Sequence, residues 1–155
     1  MRRFIKLLTL VGVIAAIALA TAAPSLAGSK ASEITVYRDP SCGCCGGWIA
    51  YLAKQGFQPK EITTSNIEPL KQQHGVPNNL ASCHTAVIQG YAIEGHVPAE
   101  DIKHLLAQRP KVAGIAVPGM PIGTPGMEDG DRRESFTVVS FDKQGNTRAF
   151  NRYAF

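Results

Sequence analysis

An α/β fold is predicted by three observations. Short β-branched segments alternate with amphipathic helical stripes, two adjacent strand-like runs flank a single glycine, and three thiols sit where the first strand ends. The chain has 155 residues, 45% of them hydrophobic and 18% charged, a globular composition with room for one ordinary domain.

The elements follow in order. Met1–Ala27 reads as a secretory signal peptide: Arg2, Arg3 and Lys6 form the positive start, Leu7 to Ala20 is apolar apart from Thr9 and Gly12, and Ser25-Leu26-Ala27 offers small residues for cleavage. The apolar run is about 14 residues, short of the roughly 20 that span a bilayer. Arg2-Arg3 invites a twin-arginine reading, but its spacing to Phe4-Ile5-Lys6 is tight for that signal, which favours the general secretory route and a periplasmic location. Cleavage takes away three positive and no negative side chains, so the formal charge falls from +4 to +1 over residues 28–155. That surplus is too small for a phosphate-binding surface, and nucleic-acid recognition is set aside.

Within residues 28–155, Ile34-Thr35-Val36-Tyr37 has the enrichment of a strand. Arg38-Asp39-Pro40-Ser41 is turn chemistry, and the thiol cluster follows it directly. Gly46-Gly47 leads into a helix over 48–55, with Trp48, Ile49, Leu52 and Ala53 on one stripe and Gly56 as its stop. Residues 57–62 suit a second strand, and Thr63 to Asn66 are placed to cap a helix over 67–74. Thr85 to Gln89 and Tyr91 to Glu94 make a hairpin around Gly90, and Ile102, Leu105 and Leu106 mark a helix over 99–108. Residues 109–133 are rich in glycine and proline and are expected to be ordered turns. Two alternating strands, 135–141 and 147–153, close the chain as a hairpin. Strand, helix, strand, helix, hairpin, helix is a thioredoxin-like order, in which reactive thiols sit at the start of the first helix, where its dipole favours thiolate.

All four cysteines lie beyond the leader: Cys42, Cys44, Cys45 and Cys83. Two structural disulfides are the ordinary expectation in an oxidising compartment. Here three thiols fall within four residues and only one lies elsewhere, so at most one long-range bridge can form. Cys42 and Cys45 have the spacing of a redox dithiol, yet Cys44 between them would compete in disulfide exchange. A soft metal such as Cu(I) gains from the extra thiol, because thiolates bridge several ions, whereas zinc usually takes two separated cysteine pairs. Cys83 precedes the hairpin in Ser82-Cys83-His84-Thr85, in the loop that faces the thiol motif in this fold order, so Cys83 and His84 are candidates to complete the ligand set. Met120 and Met127 each follow Pro-Gly and offer thioethers on rigid turns, and His96 is a further candidate. His74 and His104 are expected in solvent, and Glu128-Asp129-Gly130-Asp131 is read as a solvated turn rather than a calcium loop. No Ser/His/Asp set, phosphate loop or paired carboxylates appear.

Three blocks carry a family resemblance: Tyr37-Arg38-Asp39-Pro40-Ser41-Cys42-Gly43-Cys44-Cys45; Ser82-Cys83-His84-Thr85 with Tyr91 to Pro98; and Pro118-Gly119-Met120-Pro121 with Pro125-Gly126-Met127-Glu128. Together they resemble the CopG-type periplasmic copper proteins, a family long catalogued as a domain of unknown function. The resemblance spans residues 28–155 and implies a thioredoxin-like fold, copper at the cysteine cluster and a role in copper resistance, with copper redox chemistry as a further expectation. The expected ligands are the thiolates of Cys42, Cys44, Cys45 and Cys83 around more than one Cu(I) ion, with His84, His96, Met120 and Met127 auxiliary. A periplasmic copper chaperone or efflux system would be the partner. The rival reading is a thiol–disulfide oxidoreductase using Cys42 and Cys45. An iron–sulfur protein fits the cysteine count but needs its cofactor loaded before export.

Overall fold

A computed structural model describes residues 32–155; the leader expected over residues 1–27 lies outside them. The chain forms β1 (Glu33–Arg38), α1 (Cys45–Lys54), β2 (Gln58–Thr63), α2 (Glu68–Gln73), β3 (His84–Ile88), β4 (Tyr91–Glu94), α3 (Ala99–Gln108), β5 (Gly114–Ala116), β6 (Phe136–Phe141) and β7 (Thr147–Tyr153). The strands make one seven-stranded sheet in the order β2-β1-β3-β4-β5-β6-β7. β1 and β2 run parallel, and β3 and β4 are antiparallel neighbours on the other side of β1. The mixed α/β class is as expected, and its first four strands are compatible with a thioredoxin-like order.

Strand alternation sends two different sets of side chains to the two faces. Val36, Ala86, Ile93 and Ile115 stand side by side across β1, β3, β4 and β5. They meet Trp48 and Leu52 of α1 and Ile102 and Leu105 of α3 in the main core. The next residue of each strand faces the other way: Thr85 opposes Glu94, and Glu94 opposes Ala116. That face receives Lys71 of α2 and a smaller apolar cluster of Val76, Leu80, Ala92, Ala113, Ala116 and Phe141. Trp48 is fully buried, and its indole N–H donates to the Val97 carbonyl at 2.9 Å, so its one polar atom is satisfied.

Several expected boundaries move. α1 starts three residues early, at Cys45, and takes in Gly46 and Gly47. Glycine costs least in a first turn, whose N–H groups have no partner inside the helix; here Gly47 and Trp48 N–H donate to the Cys44 carbonyl. α2 is shorter than 67–74 and no side chain of 63–66 caps it; Ile67 is the N-cap, and Pro69 supplies the fixed φ of a first turn. His74, expected in solvent, is half-buried, whereas His104 is exposed and meets the Phe150 ring edge-on. The turn-rich segment conceals β5, which is three residues long and too short to show a period. β5 pairs parallel to β4 and antiparallel to β6, and so joins the terminal hairpin to the sheet.

Glycine is required at position 114. A Cβ there would overlap the Ala92 carbonyl oxygen and lie 2.7 Å from Phe141 Cζ. Gly114→Ala is expected to destabilise the fold by about 3 kcal/mol or more, read as a lowered urea midpoint.

Candidate metal centre

The centre is assembled by strand register. β1 and β3 pair with Arg38 opposite His84, and the pairing continues one step as the Asp39 N–H donates to the Cys83 carbonyl at 3.1 Å. The loop after β1 is therefore tied to the residue before β3. Within that loop, Cys42 N–H donates to the Asp39 carbonyl, Ser41 N–H and hydroxyl both donate to Asp39 Oδ1, and the Arg38 guanidinium reaches the Cys42 carbonyl at 3.3 Å. This compact turn delivers Cys42, Cys44 and Cys45 to the first turn of α1.

Cys42 and Cys45 are joined as a disulfide, and both are buried. Cys83 Sγ lies 3.5 Å from Cys45 Sγ, and Cys44 Sγ lies 3.8 Å from Cys42 Sγ. Cys44 and Cys83, both half-buried free thiols, thus each contact one sulfur of the disulfide and lie near each other, so the four sulfurs form a cluster. His84 Nδ1 is 3.3 Å from Cys45 Sγ. The ligand atoms of Cys42, Cys45, Cys83 and His84 all lie within 4.8 Å of one another.

The protonation of the imidazoles follows from their partners. His84 Nε2 is 3.0 Å from the Gly95 carbonyl, which only accepts, so Nε2 carries the proton and Nδ1 presents a lone pair to the sulfurs. The His84 ring is wholly buried and tilted against Trp48, with centroids 4.7 Å apart. Burial, with the nearby His96 adding to it, lowers its pKa from 6.5 to about 3, so it stays neutral and ligand-ready. Burial also pushes the Cys83 thiol up to about 11, with the adjacent Cys44 contributing.

His96 is buried behind His84, edge-on at 5.2 Å between centroids. Its Nδ1 donates to the Pro125 carbonyl at 2.7 Å, and its buried Nε2 has no hydrogen-bond partner. The Pro125-Gly126-Met127 turn closes on the same region. A Cβ on Gly126 would come within 2.5 Å of Trp48 N, and its φ of +81° also favours glycine. Met127, half-buried, is the next residue along this turn, whereas Met120 is 42% exposed with φ +48°. Of the residues singled out in the sequence, Cys42, Cys45, Cys83 and His84 converge. Cys44 lies beside Cys42 and Cys83, His96 stands behind them, Met127 is carried by an adjoining turn, and Met120 lies at the surface.

Three comparisons bear on this arrangement. A family model described as "Protein of unknown function, DUF411" matches residues 80–127, the stretch that holds Cys83, His84, His96 and both methionines. Two solved structures, forms 1 and 2 of a copper resistance protein CopG, are each 43% identical with a TM-score of 0.75. The alignment covers 79% of this chain and 98% of the first, and 80% and 99% for the second. The chain belongs to the CopG family. None of the curated proteins matches it.

In this CopG-family chain, the sequence reading missed the support beneath the ligands. Trp48 was legible only as part of a helical stripe and Glu94 only as a strand end, and Lys71 was not singled out, yet all three are buried next to the Cys83–His84 segment. The available signal was strand alternation: one residue on from apolar Ile93, Glu94 falls on the opposite face together with Thr85.

Burial holds His74, His84 and His96 below their ordinary pKa, so the unfolded chain binds protons that the folded chain refuses. Stability of the metal-free protein is expected to fall as pH drops below 6.5 toward 3. Glu94, whose pKa burial raises, acts with the opposite sign above 4.5 in wild type and variant alike, so the histidine contribution is read as the difference between them below about pH 6.5. Denaturant titrations across that window should show a smaller slope for His84→Gln.

Proposed function

We propose that the protein binds Cu(I) in the periplasm as part of copper homeostasis or resistance, held by Cys42, Cys44, Cys45 and Cys83 with His84. The observation that carries this reading is the convergence of Cys42, Cys45, Cys83 and His84 within 4.8 Å, a soft donor set in which the imidazole is neutral. The relatives' description as copper resistance proteins supports it. Cys44, 3.8 Å from Cys42 and near Cys83, adds a fourth sulfur to the cluster and favours bridging of more than one ion.

Copper needs the reduced form. An external dithiol reductant, itself oxidised to a disulfide, supplies the two electrons and two protons that convert the Cys42–Cys45 disulfide to two thiols, and thiolates then bind as their protons leave. His96, whose Nε2 has no protein partner, and Met127, on the turn against α1, are auxiliary ligands in this reading; Met120 would reach the ions only from the surface. A thiolate cluster also passes electrons, which makes Cu(I)/Cu(II) interconversion the accompanying activity. A periplasmic copper chaperone or efflux system would supply or receive the ions. Among the described residues no helix is long and apolar enough to cross a membrane. Export rests on the signal peptide expected over residues 1–27.

The disulfide itself favours a second reading. A Cys42–Cys45 bridge at the first turn of a ten-residue helix is the arrangement of a thiol–disulfide oxidoreductase, and it requires neither Cys44 nor Cys83. Anaerobic titration of the reduced protein with Cu(I) against a competing chelator, alongside Zn(II), separates the two. Tight uptake of more than one copper per chain is expected. Cys44→Ser should lose the additional ions, and Cys83→Ser should weaken affinity by at least about tenfold. Feeble copper binding, with a rapidly exchanging Cys42–Cys45 disulfide that survives both substitutions, would instead establish the oxidoreductase.

A further inference from the structure

On the α2 face of the sheet, directly behind Cys83 and His84, lies a charged pair that metal ligation does not use. Lys71 and Glu94 have side chains 3% and 0% exposed, and Lys71 Nζ is 2.5 Å from Glu94 Oε1. Thr85, opposite Glu94 in the β3–β4 register, links them: Lys71 donates to Thr85 Oγ1 at 2.8 Å, and Thr85 donates to Glu94 Oε2 at 2.6 Å. The remaining bonds go to the residues on either side of Cys83. Ser82 N–H donates to Glu94 Oε1 at 2.6 Å. The Ser82 hydroxyl lies 2.9 Å from the same oxygen and 2.8 Å from the His84 carbonyl, its single proton serving one or the other. Lys71 reaches the His84 carbonyl at 3.5 Å.

Stability does not account for this arrangement. Desolvating two charges is costly, and well-packed apolar side chains of similar volume commonly do as well or better. What such side chains cannot do is grip backbone. Cys83 precedes β3 and follows a short non-helical stretch, so its sulfur is only as fixed as Ser82 and His84 are. The pair bonds both neighbours, and β4 holds the His84 ring through the Gly95 carbonyl, one residue beyond Glu94.

We propose that Lys71, Thr85 and Glu94 are positioning residues, a buried clamp that holds Ser82 and His84 so that the Cys83 sulfur and His84 Nδ1 face Cys45 at ligand distance. The inference rests on the reading of this cluster as a copper site. The clamp supplies no ligand and gives a rigid, preset geometry to the half of the site carried by β3, while the Cys42–Cys45 turn supplies the other half.

The test compares wild type with Ser82→Ala and with the combined variant Lys71→Met, Thr85→Val, Glu94→Leu, which removes every wholly buried polar partner at once. Four quantities are measured: urea stability, Cu(I) affinity in chelator competition, the alkylation rate of Cys83 in the reduced metal-free protein resolved by peptide mass spectrometry, and the His84 tautomer from its ¹⁵N shifts. The combined variant should keep a urea midpoint near that of wild type and lose about 10–100-fold in Cu(I) affinity. Its Cys83 should alkylate several-fold faster, and its His84 should show mixed tautomers. A stable variant with unchanged affinity, alkylation and tautomer overturns the proposal. If the combined variant does not fold, Ser82→Ala decides: faster Cys83 alkylation upholds the clamp and an unchanged rate overturns it. Should wild type itself bind no Cu(I), the copper reading falls, and the alkylation and tautomer measurements still judge the clamp.

Discussion

The pairing of β1 with β3 is the constraint from which the site follows. Cys83 is separated by 38 residues from Cys45, and nothing local brings them together. An antiparallel register with Arg38 opposite His84, extended by the Asp39-to-Cys83 backbone hydrogen bond, places the two thiol segments side by side. A slip of one residue would send Cys83 and His84 to opposite faces of the sheet from those they now occupy, because side chains alternate along a strand. The register is in turn favoured by Val36 and Ala86, which pair across the strands and are both buried in the core.

Burial then sets the chemistry. A fully buried imidazole against the Trp48 indole resists protonation, and the Gly95 carbonyl selects the tautomer that leaves Nδ1 facing sulfur. The same burial raises the Cys83 thiol, so that sulfur is protonated in the metal-free protein and a metal bound there would have to displace its proton. One physical cause, exclusion of water, thus keeps both the histidine and the cysteine neutral. The rest of the chain serves this enclosure. β5 ties the terminal hairpin to the sheet, and the turn around Gly126 packs against the Trp48 backbone, closing the side of α1 that would otherwise admit solvent.

Much of this was legible in the sequence, for identifiable reasons. Trp48, Ile49 and Leu52 announce α1 because a buried helix face repeats every three to four residues. Phe136 to Phe141 announces β6 through its β-branched and aromatic residues, although its burial does not alternate, the register shifting between Val138 and Val139. Short elements escaped. β5 has three residues including a glycine, fewer than any period can reveal, and its strand identity comes from neighbours on both sides. The start of α1 escaped too, since two glycines read as a break although a first turn accepts them.

The sequence by itself determined the class of fold and named the candidate soft donors, the thiols of Cys42, Cys44, Cys45 and Cys83 with His84 beside them, since residue type and spacing are local quantities. Tertiary structure decided the rest. It separated His96, buried behind His84, from His104 in solvent, and Met127 on a packed turn from Met120 at the surface. It also drew Lys71 and Glu94 out of water and set them against the backbone that carries Cys83. A lysine on a short helix and a glutamate ending a strand look like surface charges in any sequence. Only the approach of α2 to the far face of the sheet removes their water and makes each the other's partner.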